Sequence, residues 1–262
     1  MLPALALRTQ IEAALAHCIP SALTPAPRTI RSVVPTGIAA IDDLLDGGLP
    51  LGAITEMAGP ECSGRTSIAL IFLAQITRDA RVCAWIDASD AFHPESAAAT
   101  GVNLVRLLWV PCGSGTVGPR KLKPLSRIEQ ALRVTDLLLH AGGFSAIVLD
   151  LGSIAPEAAS RIPLATWFRY RAAAERTQAV ILLLTQHACA KSAAGLVLHL
   201  QELNLQLADH NNEAPTVLTL LDNRIEKSRE RFAPTNVIPL RKPPQSDRTA
   251  TWRTRTSWAG RA

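Results

Sequence analysis

The segment at residues 59–66, GPECSGRT, combines glycine, hydroxyl and basic residues at a spacing that suits phosphate binding. It fits the pattern GxxxxGK[S/T], except that arginine stands in place of the lysine. Glycines let backbone N–H groups turn towards a phosphate, and the positive end of a following helix attracts the same charge. We therefore predict a nucleotide-binding loop. Its predicted binding residues are Gly59, Pro60, Glu61, Cys62, Ser63, Gly64, Arg65 and Thr66.

Arg65 alters the charge that the loop would place between the terminal phosphates. Lysine is a compact point charge, whereas arginine is a larger planar fork that need not fit the same cradle. The substitution is therefore expected to affect hydrolysis more than binding. The alternative for this segment is an ordinary glycine turn between a strand and a helix.

Two polar residues follow apolar runs further along the chain. Asp150 ends the run AIVLD, where an acid can orient Mg²⁺ through water. Gln186 ends the run VILLLTQ, where a side chain can sense a terminal phosphate. Both join the predicted nucleotide site, in which Thr66 and Asp150 would hold Mg²⁺. Alone, an acid at a strand end would be weak evidence, because such residues are often caps.

The elements that must position these residues alternate between strand and helix. Short apolar runs predict buried strands at residues 53–57, 82–87, 105–110, 146–149 and 180–185. Helical segments are predicted at residues 66–79, 125–141 and 164–176, and Gly142 and Gly143 would end the second of them. Later apolar runs, at residues 196–201, 203–207, 216–221 and 236–240, have no helices between them. We predict an α/β fold with a mostly parallel central sheet, helices on both faces and antiparallel strands at the C-terminal end.

Composition excludes several other classes of protein. The chain has 262 residues, of which 48% are hydrophobic and 19% charged, so it is not a disordered polymer. Its apolar runs are far shorter than the ~18 residues of a membrane helix. The five cysteines are odd in number and never spaced as CxxC, which indicates neither a disulfide framework nor a zinc site. We expect a cytoplasmic protein with no metal other than Mg²⁺.

Several colinear motifs resemble the bacterial RecA recombinase family. The resemblance begins at TGIAAIDDLLDGGLPLGAITEMAGPECSGRT, continues through VCAWIDASDAFHPESAAATGVNL, and includes Asp150 and Gln186 in the corresponding order. It implies a RecA-like P-loop domain at residues 35–240 that binds ATP. This domain would follow an N-terminal helix and proline-rich linker at residues 1–34 and precede a basic, disordered tail at residues 241–262.

The chain departs from that family at positions that carry catalysis. The family's water-activating glutamate corresponds to Ser89, which cannot act as a general base, with Asp90 beside it as a substitute. The adenine-contacting aspartate corresponds to His93, and two lysines that reach a neighbour's phosphates correspond to Asp222 and Arg224. These departures imply weak or absent ATP hydrolysis, so we lean towards a protein that is not an enzyme.

Basic residues concentrate in two segments that could bind DNA or a partner. From the resemblance we expect shortened versions of the loops that hold single-stranded DNA in the family, and no counterpart of the family's C-terminal domain. Instead, a basic loop lies at residues 113–124, and the tail carries the entire net charge of +5. A solvated tail without a ligand is the alternative. The predicted contact residues are Arg120, Lys121, Lys123, Arg241, Lys242, Arg248, Trp252, Arg253, Arg255 and Trp258.

A small RecA-like core with these departures is similar to the ImuA family. That resemblance implies an accessory protein of the DNA damage (SOS) response and of translesion synthesis. Its implied partners are an inactive Y-family polymerase-like protein and an error-prone replicative-type polymerase, with self-association as a further expectation. The alternatives are an active ATP-dependent recombinase on single-stranded DNA and a DNA-binding module that takes no nucleotide.

Overall fold

A sheet of nine strands organises the part of the chain that is described. The computed structural model describes residues 32–113, 126–201, 204–207, 218–230 and 249–254. The strands are β1 (Val33–Val34), β2 (Leu49–Pro50), β3 (Ile54–Ala58), β4 (Cys83–Asp87), β5 (Leu107–Pro111), β6 (Ala146–Asp150), β7 (Val180–Thr185), β8 (Leu196–Leu200), β9 (Asn204–Leu207), β10 (Leu218–Glu230) and β11 (Thr249–Thr254). The helices are α1 (Ala39–Leu44), α2 (Arg65–Arg78), α3 (Pro94–Ala99), α4 (Arg127–Ala141), α5 (Pro156–Ser160) and α6 (Leu164–Thr177).

The large sheet has the strand order β11-β10-β8-β3-β7-β6-β4-β5, with β9 also paired to β10, while β1 and β2 form a separate pair. All neighbours from β8 to β5 in this order run parallel. The strands β9, β10 and β11 pair antiparallel. The predicted α/β class, with a parallel centre and antiparallel strands at the C-terminal end, is confirmed. Parallel strands place their carboxyl ends along one edge, which is where ligands bind in such sheets.

The core forms two apolar layers, one on each face of the sheet. Successive strand residues point to opposite faces, so Val148 packs in the layer of α2, and Leu149 packs in the layer of α4 and α6. Trp167 and Tyr170 are fully buried in the second layer. Helices therefore cover both faces of the sheet, as the unalternated apolar strands indicate.

Local capping sets the helix bounds within one or two residues of the predicted ones. Ser126 caps α4, because its Oγ accepts a hydrogen bond from the N–H of Glu129 at 3.3 Å while its own N–H donates to the Glu129 carboxylate at 2.8 Å. The helix begins after this box and ends at Ala141. The following Gly142 has a φ of 69°, which confirms the predicted glycine stop.

The C-terminal half differs from the predicted elements in three places. The run at 196–201 forms β8, which pairs antiparallel with β10 as predicted but parallel with β3 on its other side, because residues 186–195 carry the chain back without an α-helix. Residues 218–230 form one long strand, β10, whereas the apolar run predicts a strand at residues 216–221 only. Residues 249–254 form β11 against β10, so the prediction of a disordered tail is wrong for this stretch. Backbone pairing with β10 gives this stretch a strand conformation despite its polar composition.

Several predictions fall outside the described residues. They concern the N-terminal helix and linker up to residue 31, the run at 236–240, and the contact residues Arg120, Lys121, Lys123, Arg241, Lys242, Arg248, Arg255 and Trp258. In the described ranges no helix is both long enough and apolar enough to cross a membrane.

Candidate functional site

The loop at residues 59–64 joins β3 to α2 at the carboxyl edge of the sheet. Gly64 has a φ of 85° and immediately precedes the helix, so it adopts the left-handed conformation that favours glycine. A Cβ added at Gly59 would lie 2.6 Å from the carbonyl oxygen of Leu200, a distance that no side chain tolerates. The two glycines of the motif are therefore required by backbone conformation and by close packing.

Arg65 begins α2 and is almost completely buried, with 7% of its surface exposed. Its Nη1 atom and the Oγ atom of buried Ser63 have no hydrogen-bond partner among the described residues. Burial lowers the pKa of Arg65, and the charges of Asp150 and Glu61 oppose that shift. Buried polar groups are normally paired, so these two atoms indicate a place for an anion.

Asp150 lies at the end of β6 with 3% of its surface exposed. Its Oδ1 atom accepts hydrogen bonds from the N–H of Gly152 at 2.8 Å and from the Oγ of Ser89 at 2.9 Å. Burial raises the pKa of the Asp150 carboxyl group, and these two hydrogen bonds act against the rise. One oxygen of the carboxylate, Oδ1, is thus already held by protein donors.

The side chains of Arg65 and Asp150 both lie close to Gly152. A Cβ added there would lie 3.0 Å from Asp150 Oδ1, 3.4 Å from Arg65 Nη2 and 3.5 Å from Arg65 Nη1. The guanidinium group and the carboxylate therefore flank the same glycine. Gln186 reaches this glycine too, because its Nε2 donates to the Gly152 carbonyl oxygen at 3.1 Å.

These residues surround a cleft of about 160 Å³ at the carboxyl edge of the sheet. Five predicted residues line it, and Gly152 and Ser153, which sequence reasoning missed, line it as well. The lining residues are Glu61, Cys62, Arg65, Thr66, Ser89, Ala91, Asp150, Gly152, Ser153 and Leu184. The predicted residues Gly59, Pro60, Ser63, Gly64 and Gln186 are not among them, although all but Gln186 belong to the loop itself. The run LGS directly after the strand-end acid is the signal that could have found the two missed residues.

Ser89 and Asp90 lie differently with respect to the cleft. Ser89 is buried, donates to Asp150 and accepts from the N–H of Ser153 at 2.9 Å. Asp90 does not line the cleft; its side chain is 66% exposed, and its Oδ2 lies 3.9 Å from Nη2 of Arg127. The arrangement therefore directs a hydroxyl group, and not the neighbouring carboxylate, into the site.

The loop after β4 is fixed by its own acid. Asp87 ends the strand, and its carboxylate accepts the N–H groups of Ala91 and Phe92, each at 3.1 Å. His93, which the resemblance aligns with an adenine-contacting aspartate, caps α3 by accepting the N–H of Ser96 at 3.1 Å. Hydrogen bonds among its own residues therefore fix the conformation of this loop.

The cleft fits phosphate groups better than it fits a magnesium ion. Glycine conformation, the helix start and the unpaired atoms of Ser63 and Arg65 suit an anion. Thr66 and Asp150, the predicted Mg²⁺ pair, both line the cleft, but the guanidinium of Arg65 already lies beside Asp150. A divalent cation there would meet a fixed positive charge, so the donor set does not fit Mg²⁺ held by Asp150. Among the described residues no group of three or more His, Cys, Asp or Glu could hold a metal.

Comparison with known proteins agrees with this geometry. The fold and loop define a RecA-type α/β domain, and a model of the RecA N-terminal domain family matches residues 9–161. The match covers more than half of the chain, so the chain belongs to the RecA N-terminal domain family.

Curated relatives and a solved structure point the same way. Protein RecA of Methylococcus capsulatus is 38% identical over 128 residues, 48% of this chain and 33% of that protein. Protein RecA of Salinispora tropica is 38% identical over 134 residues, 50% of this chain and 35% of that protein. The matched part is thus about a third of each relative. The RadB recombinase structure has a TM-score of 0.52 at 18% identity, covering 83% of this chain and 94% of that one, which shows a shared fold.

Proposed function

We propose that this chain is an ImuA-like, RecA-fold accessory protein that binds a nucleotide with little or no hydrolysis. In this proposal it acts in the cytoplasm during the DNA damage response and recruits polymerase-like partners for translesion synthesis. The observation that carries the proposal is Ser89, whose hydroxyl group faces the cleft and is fixed by Asp150 and Ser153.

A serine at this place removes the group that would activate water. Its hydroxyl cannot take a proton at neutral pH, and its oxygen is already engaged in hydrogen bonds. Two acids line the cleft, of which Asp150 is held by donors and Glu61 is an exposed member of the loop. The exposed side chain of Asp90 lies next to Arg127, which does not favour it as a substitute.

Binding of ATP is supported by the loop and the unpaired atoms of Ser63 and Arg65. When bound, the nucleotide would supply phosphate charge at the start of α2. The residues proposed to hold it are those of the loop, Gly59, Pro60, Glu61, Cys62, Ser63, Gly64, Arg65 and Thr66, together with Gln186, while Asp150 borders the same cleft.

The partner role rests on the resemblance and on exposed apolar side chains. Strand β5 lies at one edge of the described sheet, and Leu108 and Trp109 on it are about 40% exposed. The preceding turn contains Val105, whose surface is 96% exposed. Apolar groups beside an open strand edge are typical of protein contacts. We propose this edge for the inactive Y-family polymerase-like partner. The error-prone replicative-type polymerase would then join that complex.

DNA contact is proposed for the basic loop and tail. Lysine and arginine there would neutralise phosphates and release counterions, so affinity should fall steeply with salt. Changing Arg120, Lys121 and Lys123 together to alanine should weaken binding of single-stranded DNA and reduce its salt dependence. Unchanged affinity and slope would remove this loop from the proposal. The tail residues Arg241, Lys242, Arg248 and Arg255 provide a second set for the same measurement.

The test of the whole proposal measures ATP hydrolysis and ATP binding in parallel, with and without single-stranded DNA. We expect binding without DNA-stimulated turnover, well below the ~1 per second at which ordinary enzymes begin. The double variant Arg65→Lys, Ser89→Glu should raise hydrolysis, with Ser67→Glu as a matched surface control. Rapid turnover by the unaltered chain would refute the accessory role.

The second candidate is an active, DNA-dependent recombinase. Membership of the RecA N-terminal domain family favours it, because the family match includes the phosphate loop. It requires a base from Asp90 or Glu61, so Asp90→Asn or Glu61→Gln should abolish turnover if this candidate is correct.

A further inference from the structure

We propose that Arg65 takes the place of Mg²⁺ in this cleft, so that the chain binds nucleotide phosphates without a metal ion. The inference rests on the proposed nucleotide binding and specifies that the nucleotide is bound without Mg²⁺. The ligand class is the free nucleoside di- or triphosphate, recognised through its phosphate oxygens.

The first support is the position of the guanidinium group. Arg65 is the first residue of α2 after the loop, has 7% of its surface exposed, and lines the cleft. Its Nη1 has no partner among the described residues, and neither has Ser63 Oγ. Arginine can bind two phosphate oxygens with its planar fork, a geometry that lysine cannot reproduce.

The second support is the occupation of Asp150. The Oδ1 atom of this acid accepts two protein donors, from Gly152 and Ser89. Both Asp150 and the guanidinium of Arg65 lie against Gly152, which places a permanent cation beside the acid. A metal ion at that carboxylate would be repelled by the guanidinium, whereas a phosphate in the cleft that Arg65 lines would be attracted.

Together these contacts assign different roles to the two residues. Arg65 neutralises the incoming phosphate charge. Asp150 holds the loop at Gly152 by accepting the Gly152 N–H, and is a positioning residue. Removing the Asp150 charge should then strengthen phosphate binding, because it relieves repulsion of the anion. In a metal-dependent site the same change should weaken it.

Isothermal titration with ATP tests this, once with Mg²⁺ and once with excess EDTA. For the unaltered chain we expect dissociation constants within threefold of each other. Arg65→Lys should bind at least tenfold more weakly in EDTA than with Mg²⁺. Asp150→Asn should bind several-fold more tightly than the unaltered chain in EDTA, and thermal melts would check that both variants fold.

The outcomes separate this inference from the proposed function. Binding that is lost in EDTA but present with Mg²⁺ overturns the inference and leaves nucleotide binding intact. Absence of binding under both conditions overturns both. Weaker binding by Asp150→Asn in EDTA would also contradict the role given to Arg65. The comparison of the unaltered chain in the two buffers requires no variant to fold.

Discussion

Two buried charges on neighbouring elements, Glu56 on β3 and Arg65 at the start of α2, have opposite surroundings. Glu56 is fully buried, and its Oε1 accepts the N–H of Cys189 at 2.6 Å, the N–H of Ala190 at 3.2 Å and the hydroxyl of Thr185 at 3.5 Å. Arg65 is nearly as buried, yet its Nη1 has no partner among the described residues.

The difference separates a structural charge from a ligand-binding one. Burying a charge costs free energy unless partners compensate for lost water. Glu56 recovers part of that cost within the chain, because its carboxylate accepts backbone N–H groups after β7. Arg65 would recover it from a bound anion. Asp87 is a structural charge like Glu56, because its carboxylate accepts N–H groups from the loop that follows it.

The largest expected effect is on Glu56. In Glu56→Ala the N–H groups of Cys189 and Ala190 lose their acceptor, and each unpaired buried group costs about 1–3 kcal/mol. We expect the free energy of unfolding to fall by roughly 3 kcal/mol, measured by urea denaturation. Glu56→Gln keeps one acceptor oxygen and should lose less than half as much. Equal losses would show that charge, and not the hydrogen bonds, holds this loop.

At Arg65 we expect a smaller change in the free energy of unfolding, in the stabilising direction. Arg65→Met removes a buried cation without a full set of partners, so the free energy of unfolding should stay the same or rise by about 1 kcal/mol. ATP binding should be lost. Arg78→Met, at the exposed end of the same helix, should change neither property. Strong destabilisation by Arg65→Met would place Arg65 with Glu56 as a structural charge.

The comparison also predicts a pH dependence. Burial raises the pKa of Glu56 above its usual 4.5, so the folded state binds its proton more tightly than the unfolded state does. The stability that this proton contributes is present below the usual pKa and is lost as the pH rises through the folded-state pKa. Unfolding measured from pH 4 to 8 should show this loss in the unaltered chain. Glu56→Gln should show less of it, and parallel curves would contradict the assignment.

The smallest effect concerns accessibility of the loop. Cys62 is exposed in the cleft lining, whereas Cys83, Cys112 and Cys189 are buried. Burial raises the pKa of Cys83 to about 12, which makes it unreactive. N-ethylmaleimide should therefore modify Cys62 first among these four, and ATP should slow the reaction, as measured by peptide mass spectrometry. In Arg65→Met the protection by ATP should disappear; persistent protection would mean that ATP binds without Arg65.

Much of the site could be predicted because its signals are local in the chain. The glycine spacing of the loop, the acid that ends AIVLD and the helix periodicity each depend on residues within a few positions of one another. The parallel strands then bring Asp150 and the loop to one edge of the sheet, as expected from their places at strand ends. The parallel pairing of β8 with β3 could not be predicted, because the chain passes from β7 to β8 without an α-helix. A helix there would have given a periodic apolar pattern.

The sequence by itself determined the order of the main strands and helices from β3 to β7, the phosphate loop, and the replacement of a lysine by Arg65 and of an acid by Ser89. Tertiary structure alone decided that Ser89 would bond to Asp150, 61 residues away, and that Glu56 would find its partners 129 to 134 residues away. It also placed Arg65 beside Asp150 at Gly152. Such contacts depend on which strands become neighbours and which loops they carry to one edge, and no short stretch of the chain encodes that arrangement.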